Sequence, residues 1–191
     1  EIHSDFTWPG HEHHVFANLD PKYAEISITC TAPSKTFNLA GLQTSNIFIP
    51  NRTLRKTFKK AIDQAGYSQL NTLGLVACQA AYEEGEPWLT ELKKYLLENL
   101  DFSRDYIERN RPGVHLIEPE GTYLIWLDFR DLRLPEEKLE HLITKEAKLW
   151  LDSGAIFGSD GEGFERINIA CPRTTLKEAF DRLAKALKSL G

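Results

Sequence analysis

Apolar residues recur along the chain with two different periods, and the changes of period divide it into elements. Two short runs rich in β-branched residues and bounded by turn formers, Glu25 to Thr31 (EISITCT) and Ser45 to Ile49 (SNIFI), predict strands. RTLRKTFKKAIDQAG then predicts a basic amphipathic helix closed by Gly66, and NTLGLVACQAAYEEG a more apolar, buried helix closed by Gly85. Both glycines stand where a left-handed C-cap is expected. From Pro87, suited to a first helical position, a long helix runs to about Arg109 with Leu89, Leu92, Leu96 and Leu100 on one stripe.

Beyond that helix, VHLIEPEGTYLIWLDF predicts two strands about a turn at Pro119 to Gly121, with Tyr123, Ile125, Leu127 and Phe129 turned to a core. PEEKLEHLITKEAKLW predicts a helix, and LDSGAIFG with FERINIAC a strand pair. In the second of these strands Ile167, Ile169 and Cys171 share one face, which leaves Arg166, Asn168 and Ala170 on the other. A last helix starts at Thr175 with a capping box to Glu178 and a stripe of Leu176, Phe180, Leu183, Leu187 and Leu190. Strands and helices alternate before the long helix, and a sheet-plus-helices unit follows it. The expected domains are therefore 1–86 and 87–191.

With 41% hydrophobic and 27% charged residues in 191, the composition is that of a folded protein with one or two domains. No apolar run is long enough to span a membrane, and the first residues lack the order of a signal peptide, so a cytoplasmic protein is expected. Lysines and arginines are scattered and the net charge is −5, which gives no footprint for nucleic acid. Small molecules are the expected partners. Cys30, Cys78 and Cys171 are odd in number and set in apolar stretches, which suits buried thiols. The chain has no methionine, not even at its start, as a piece of a longer protein would.

Between Ile26 and Asn51 stands a single charged residue, Lys35. It follows the first predicted strand after Pro33-Ser34 and is trailed by Phe37, Leu39 and Leu42, so its amine is expected in an apolar, partly desolvated place. Desolvation disfavours the ammonium and lowers its pKa, leaving an amine able to form a Schiff base with a carbonyl. The alternative is a buried lysine paired with an acid from elsewhere.

TCTAPSKTFNLAGLQTSNIFIPN, with EIHSDF upstream and GFERINIACPR downstream, resembles the pyridoxal-phosphate enzymes of aminotransferase fold type I. It is most similar to their cystathionine β-lyase, or MalY/PatB-like carbon–sulfur lyase, branch. The resemblance runs over the whole chain but covers only the C-terminal half of a family member. It implies an α/β fold: the C-terminal part of the cofactor-binding large domain, with its mixed sheet, in 1–86, then a connector helix and an α+β small domain in 87–191. The implied cofactor is pyridoxal 5'-phosphate, the implied substrate a small sulfur-containing amino acid, and the implied assembly a homodimer of the full-length parent.

By the same resemblance Lys35 is the lysine that holds the cofactor aldehyde and takes the substrate α-proton. Ser34 falls on a hydroxyl near the cofactor phosphate, with a plain turn serine as the alternative. Arg166 falls on the arginine that grips the α-carboxylate, with a surface arginine on an edge strand as the alternative. Gln43 stands where the family often has a phosphate-binding arginine, and Ala32 where a serine is common. Arg173 reads as structural.

Four of the six histidines lie in EIHSDFTWPGHEHH. His11, His13 and His14 follow a Pro-Gly turn without the partner spacings of a zinc site, so no metal is expected. His3 matches a residue facing the phenolic oxygen of the cofactor ring. The resemblance thus implies a β-lyase releasing pyruvate, ammonia and a thiol. An aminotransferase of a neutral or aromatic amino acid, or a non-catalytic folding or dimerisation fragment, are the other readings.

Overall fold

A computed structural model describes residues 1–67, 69–110 and 113–190. The chain divides into two compact units, Glu1–Leu92 and Lys93–Gly191, and the division falls inside the long helix.

In the first unit Asp20 caps a short helix, α1 (Pro21–Ile26), by accepting the Lys22 amide, with Pro21 fixing the first turn. Glu25 and Ile26, expected to open a strand, therefore close a helix instead. Strand β1 (Thr29–Thr31) starts only after it and pairs antiparallel with β2 (Asn46–Phe48), Cys30 opposite Ile47. Between the two strands lies the single-turn helix α2 (Pro33–Thr36). Asn51 caps α3 (Arg52–Gln64), which is followed by Gly66 at φ 76°, the left-handed position its sequence called for.

Helix α4 (Thr72–Glu84) is capped by Asn71 and runs almost directly into α5 (Glu86–Asn110). Gly85 between them keeps φ −79°, not the expected left-handed value, because its carbonyl already accepts the Leu89 amide of the next helix. Its lack of a side chain serves packing: a Cβ there would stand 2.4 Å from the Phe37 ring. Nor is α4 buried as expected. Gly74 and Cys78 are covered, Gly74 by the Leu42–Thr44 loop, while Leu73, Leu75, Val76 and Tyr82 are exposed.

The second unit is built on an antiparallel sheet in the order β3 (His115–Ile117), β4 (Leu124–Asp128), β6 (Phe164–Asn168), β5 (Asp152–Ser153). Ile125, Leu127, Ile167 and Ile169 are buried, as the period-two pattern requires. With them are buried Leu96, Leu100 and Ile107 of α5, Leu139 of α6 (Glu136–His141), and Leu176, Phe180 and Leu183 of α7 (Arg173–Lys188). The turn Leu142–Glu146 after α6 is wound as a π-helix, the Ala147 amide donating to the Leu142 carbonyl at 2.8 Å.

Two local expectations fail here. Helix α7 begins at Arg173 after Pro172, so Thr175 lies inside it and Glu178 pairs with Arg182 one turn on, in place of a capping box. In LDSGAIFG only Asp152 and Ser153 form strand, and Gly154–Phe157 curl into a 3-10 turn. Gly154 passes so close to Gly161 that a Cβ would stand 2.0 Å from its carbonyl oxygen. Of the three thiols expected to be buried, Cys78 is, Cys171 is half-buried and Cys30 on β1 is exposed. Among the described residues no helix is long and apolar enough to cross a membrane.

Candidate functional site

The extended residue Ala32 turns the chain from β1 into α2, where Pro33 takes the first helical position and Ser34, Lys35 and Thr36 follow. Thr36 is buried, and its hydroxyl donates to Asp5 Oδ2 at 2.6 Å. The amino group of Glu1 donates to the Cys30 carbonyl at 2.8 Å. These two bonds hold residues 1–5 alongside residues 30–36, so half-buried His3 lies on the segment next to Ser34 and Lys35.

Lys35 itself is exposed, against the expectation of a desolvated amine. The uncharged stretch around it forms a thin strand pair and a turn, with Ile28, Ile47 and Phe48 exposed. The donor set still suits pyridoxal phosphate: an accessible primary amine for the aldehyde, with a half-buried hydroxyl beside it on the same turn. Among the described residues neither the Lys35 amine nor the Ser34 hydroxyl is taken by another hydrogen bond or ion pair. Gln43 is exposed, in left-handed conformation at φ 52°.

His11, Glu12, His13 and His14 form an exposed loop, with His13 Nε2 3.4 Å from Glu1 Oε2. Among the described residues no group of three or more His, Cys, Asp or Glu is placed to hold a metal ion.

Arg166, in the second unit, sits on β6 with β4 on one side and β5 on the other, an interior strand of the sheet rather than an edge. It lies on the face away from Ile167 and Ile169, opposite Trp126 on β4 and Asp152 on β5. Asp152 Oδ2 accepts from Arg166 Nη2 at 2.6 Å and Nε at 3.2 Å. The Phe157 ring covers the guanidinium at 4.6 Å and meets Trp126 edge-on at 5.4 Å. Sequence reasoning singled out none of these three neighbours. Strand alternation carried a signal for Trp126, which falls on the face opposite Ile125 and Leu127.

Glu165 was also missed, although it has the parity of Ile167 and Ile169. It is buried, and its carboxyl is pushed up to about 7, first by burial and then by Glu136, Glu140 and Asp152. Glu136 is held by the Ser153 hydroxyl at 2.8 Å and the Gly163 amide at 3.0 Å. Arg173 is structural, as expected: its Nε donates to Asn99 and its amide to the Tyr95 hydroxyl.

In sequence and in fold the chain belongs to the pyridoxal-phosphate-dependent enzymes of fold type I, and it matches their C-terminal part. Within that class it is similar to cystathionine beta-lyase PatB of Bacillus subtilis, 42% identical over 187 residues, which are 98% of this chain and 48% of PatB. Protein MalY of Escherichia coli is 31% identical over 191 residues, covering 100% of this chain and 48% of MalY. The crystal structure of cystalysin from Treponema denticola, which contains pyridoxal 5'-phosphate, superposes with a TM-score of 0.96 at 43% identity, over 100% of this chain and 48% of cystalysin. The chain thus spans about half the length of the relatives it matches. No protein-family model matches it.

Proposed function

We propose that residues 1–191 are the C-terminal half of a pyridoxal-phosphate-dependent carbon–sulfur β-lyase. It would cleave a cystathionine-like amino acid to pyruvate, ammonia and a thiol. The observation that carries this reading is the 42% identity to a cystathionine beta-lyase over nearly the whole chain. Residues 1–86 are then part of the cofactor-binding domain, and 87–191 the connector helix and small domain. A cytoplasmic homodimer belongs to the same reading, supported by the family resemblance.

When bound, pyridoxal phosphate supplies an electron sink for the substrate α-carbon. Lys35 Nζ would hold its aldehyde covalently, Ser34 would face its phosphate and His3 its ring oxygen. When not engaged with the aldehyde, Lys35 Nζ would be the base that accepts the α-proton, and the same atom could return a proton. Arg166 would bind the α-carboxylate with a planar fork of N–H donors. Departure of the sulfur from the β-carbon completes an elimination.

Borohydride reduction of the cofactor-loaded full-length protein, followed by peptide mass spectrometry, should mark Lys35. Lys35→Ala should abolish both the mark and the visible cofactor band. An unmarked Lys35 would sink the cofactor reading. Incubation with cystathionine should release pyruvate; amino transfer to a keto acid without pyruvate would make the protein an aminotransferase instead.

A further inference from the structure

We propose that Asp152 is a positioning residue for Arg166: it grips one edge of the guanidinium so that the other edge is presented to the substrate carboxylate. This rests on the reading of Arg166 as the carboxylate-binding arginine. Pairing of β5 with β6 sets Asp152 directly across from Arg166. A single oxygen, Oδ2, takes both the Nε proton and one Nη2 proton. Among the described residues no other hydrogen bond engages the guanidinium, so Nη1 and the far proton of Nη2 form a free end-on fork.

The plane of that fork is fixed from a second direction. Phe157 stacks on the guanidinium, and Trp126, opposite Arg166 on β4, braces the Phe157 ring edge-on. The turn carrying Phe157 is itself pinned where Gly154 crosses Gly161. A free arginine has many rotamers to lose when it binds a carboxylate, whereas one already held in plane loses few. The Asp152 side chain is 47% exposed and that of Arg166 26%, so the pair adds little to folding stability. Its effect falls on binding.

In the cofactor-loaded full-length protein, Asp152→Ala should raise KM for cystathionine about tenfold while kcat stays within about twofold. Asp152→Asn should be intermediate, and Asp152→Glu should restore most of the loss. Glycine and glycinamide have no β-carbon to eliminate from, so calorimetry with them reads binding alone. Asp152→Ala should weaken glycine and leave glycinamide unchanged. Equal weakening of both ligands, an unchanged KM, or a fall in kcat matching the rise in KM would overturn the proposal. Arg166→Ala separates the two layers. If that variant does not weaken glycine relative to glycinamide, the reading of Arg166 itself is lost. If it does and Asp152→Ala does not, only the positioning role is.

Discussion

Glu165 faces the core from β6, and its carboxyl is raised from the ordinary 4.5 to about 7, chiefly by burial. The unfolded chain releases this proton near the ordinary value, so between about 4.5 and 7 the folded protein holds more protons. Stability therefore falls as pH rises through that window and levels off above it. The shift corresponds to roughly 3 kcal/mol at most. Glu165→Gln should remove this slope: its urea midpoint should change little from pH 5 to pH 8, while that of the parent chain drops. Parallel curves would mean the carboxyl is ionised in the folded state. The residue was legible by parity, since 165, 167 and 169 alternate together, but a charged side chain reads as surface when judged by type alone. Lys35, expected to be desolvated, is exposed in residues 1–191. An uncharged neighbourhood says what surrounds a lysine along the chain, and exposure depends on what covers it in space.

Among elements, the end of β6 and the start of α7 are fastened to α5 by one fully buried side chain, Asn99. Its Nδ2 donates to the carbonyls of Ile169 at 2.7 Å and Cys171 at 3.0 Å, and its Oδ1 accepts from Arg173 Nε at 2.6 Å. Pro172 offers α7 no side-chain cap, and the Arg173 amide donates instead to the Tyr95 hydroxyl at 2.7 Å. Asn99→Leu would leave these partners unsatisfied in the interior, and we expect a loss of about 2–4 kcal/mol in chemical denaturation. A loss below about 0.5 kcal/mol would show that the junction holds without it. None of this was visible in the apolar stripe of α5, where Asn99 interrupts the pattern between Leu96 and Leu100. Periodicity located α5 and α7 well because it reports burial, but it carries no information on which distant carbonyls a buried amide will meet. The capping box expected at Thr175 does not form for a related reason: the motif has the local pattern of a helix start, but Pro172 sets the start two residues earlier, at Arg173.

At the scale of the molecule the two units differ in how much of their apolar surface is covered. Among the described residues of 1–92 the buried apolar side chains are Phe6, Trp8, Pro33, Ile49 and Cys78, whereas 93–191 bury apolar residues on α5, β4, α6, β6 and α7. The first unit also holds the buried Trp8 Nε1 and Ser27 Oγ, which among the described residues lack hydrogen-bond partners. Its strand pair is two strands wide, too narrow to be stable by itself. Burial is the dominant favourable term in folding, so the units should not share one stability. Hydrogen exchange on residues 1–191 should show the amides of β4, β6 and α7 protected, and those of β1, β2 and α4 exchanging faster by at least tenfold. The first unit should also open at lower urea. Lys35 is carried by that weaker unit, so the isolated chain should turn over cystathionine at background rate even with pyridoxal phosphate added. Protection of β1 and β2 equal to that of β4 and β6 would refute this division of stability.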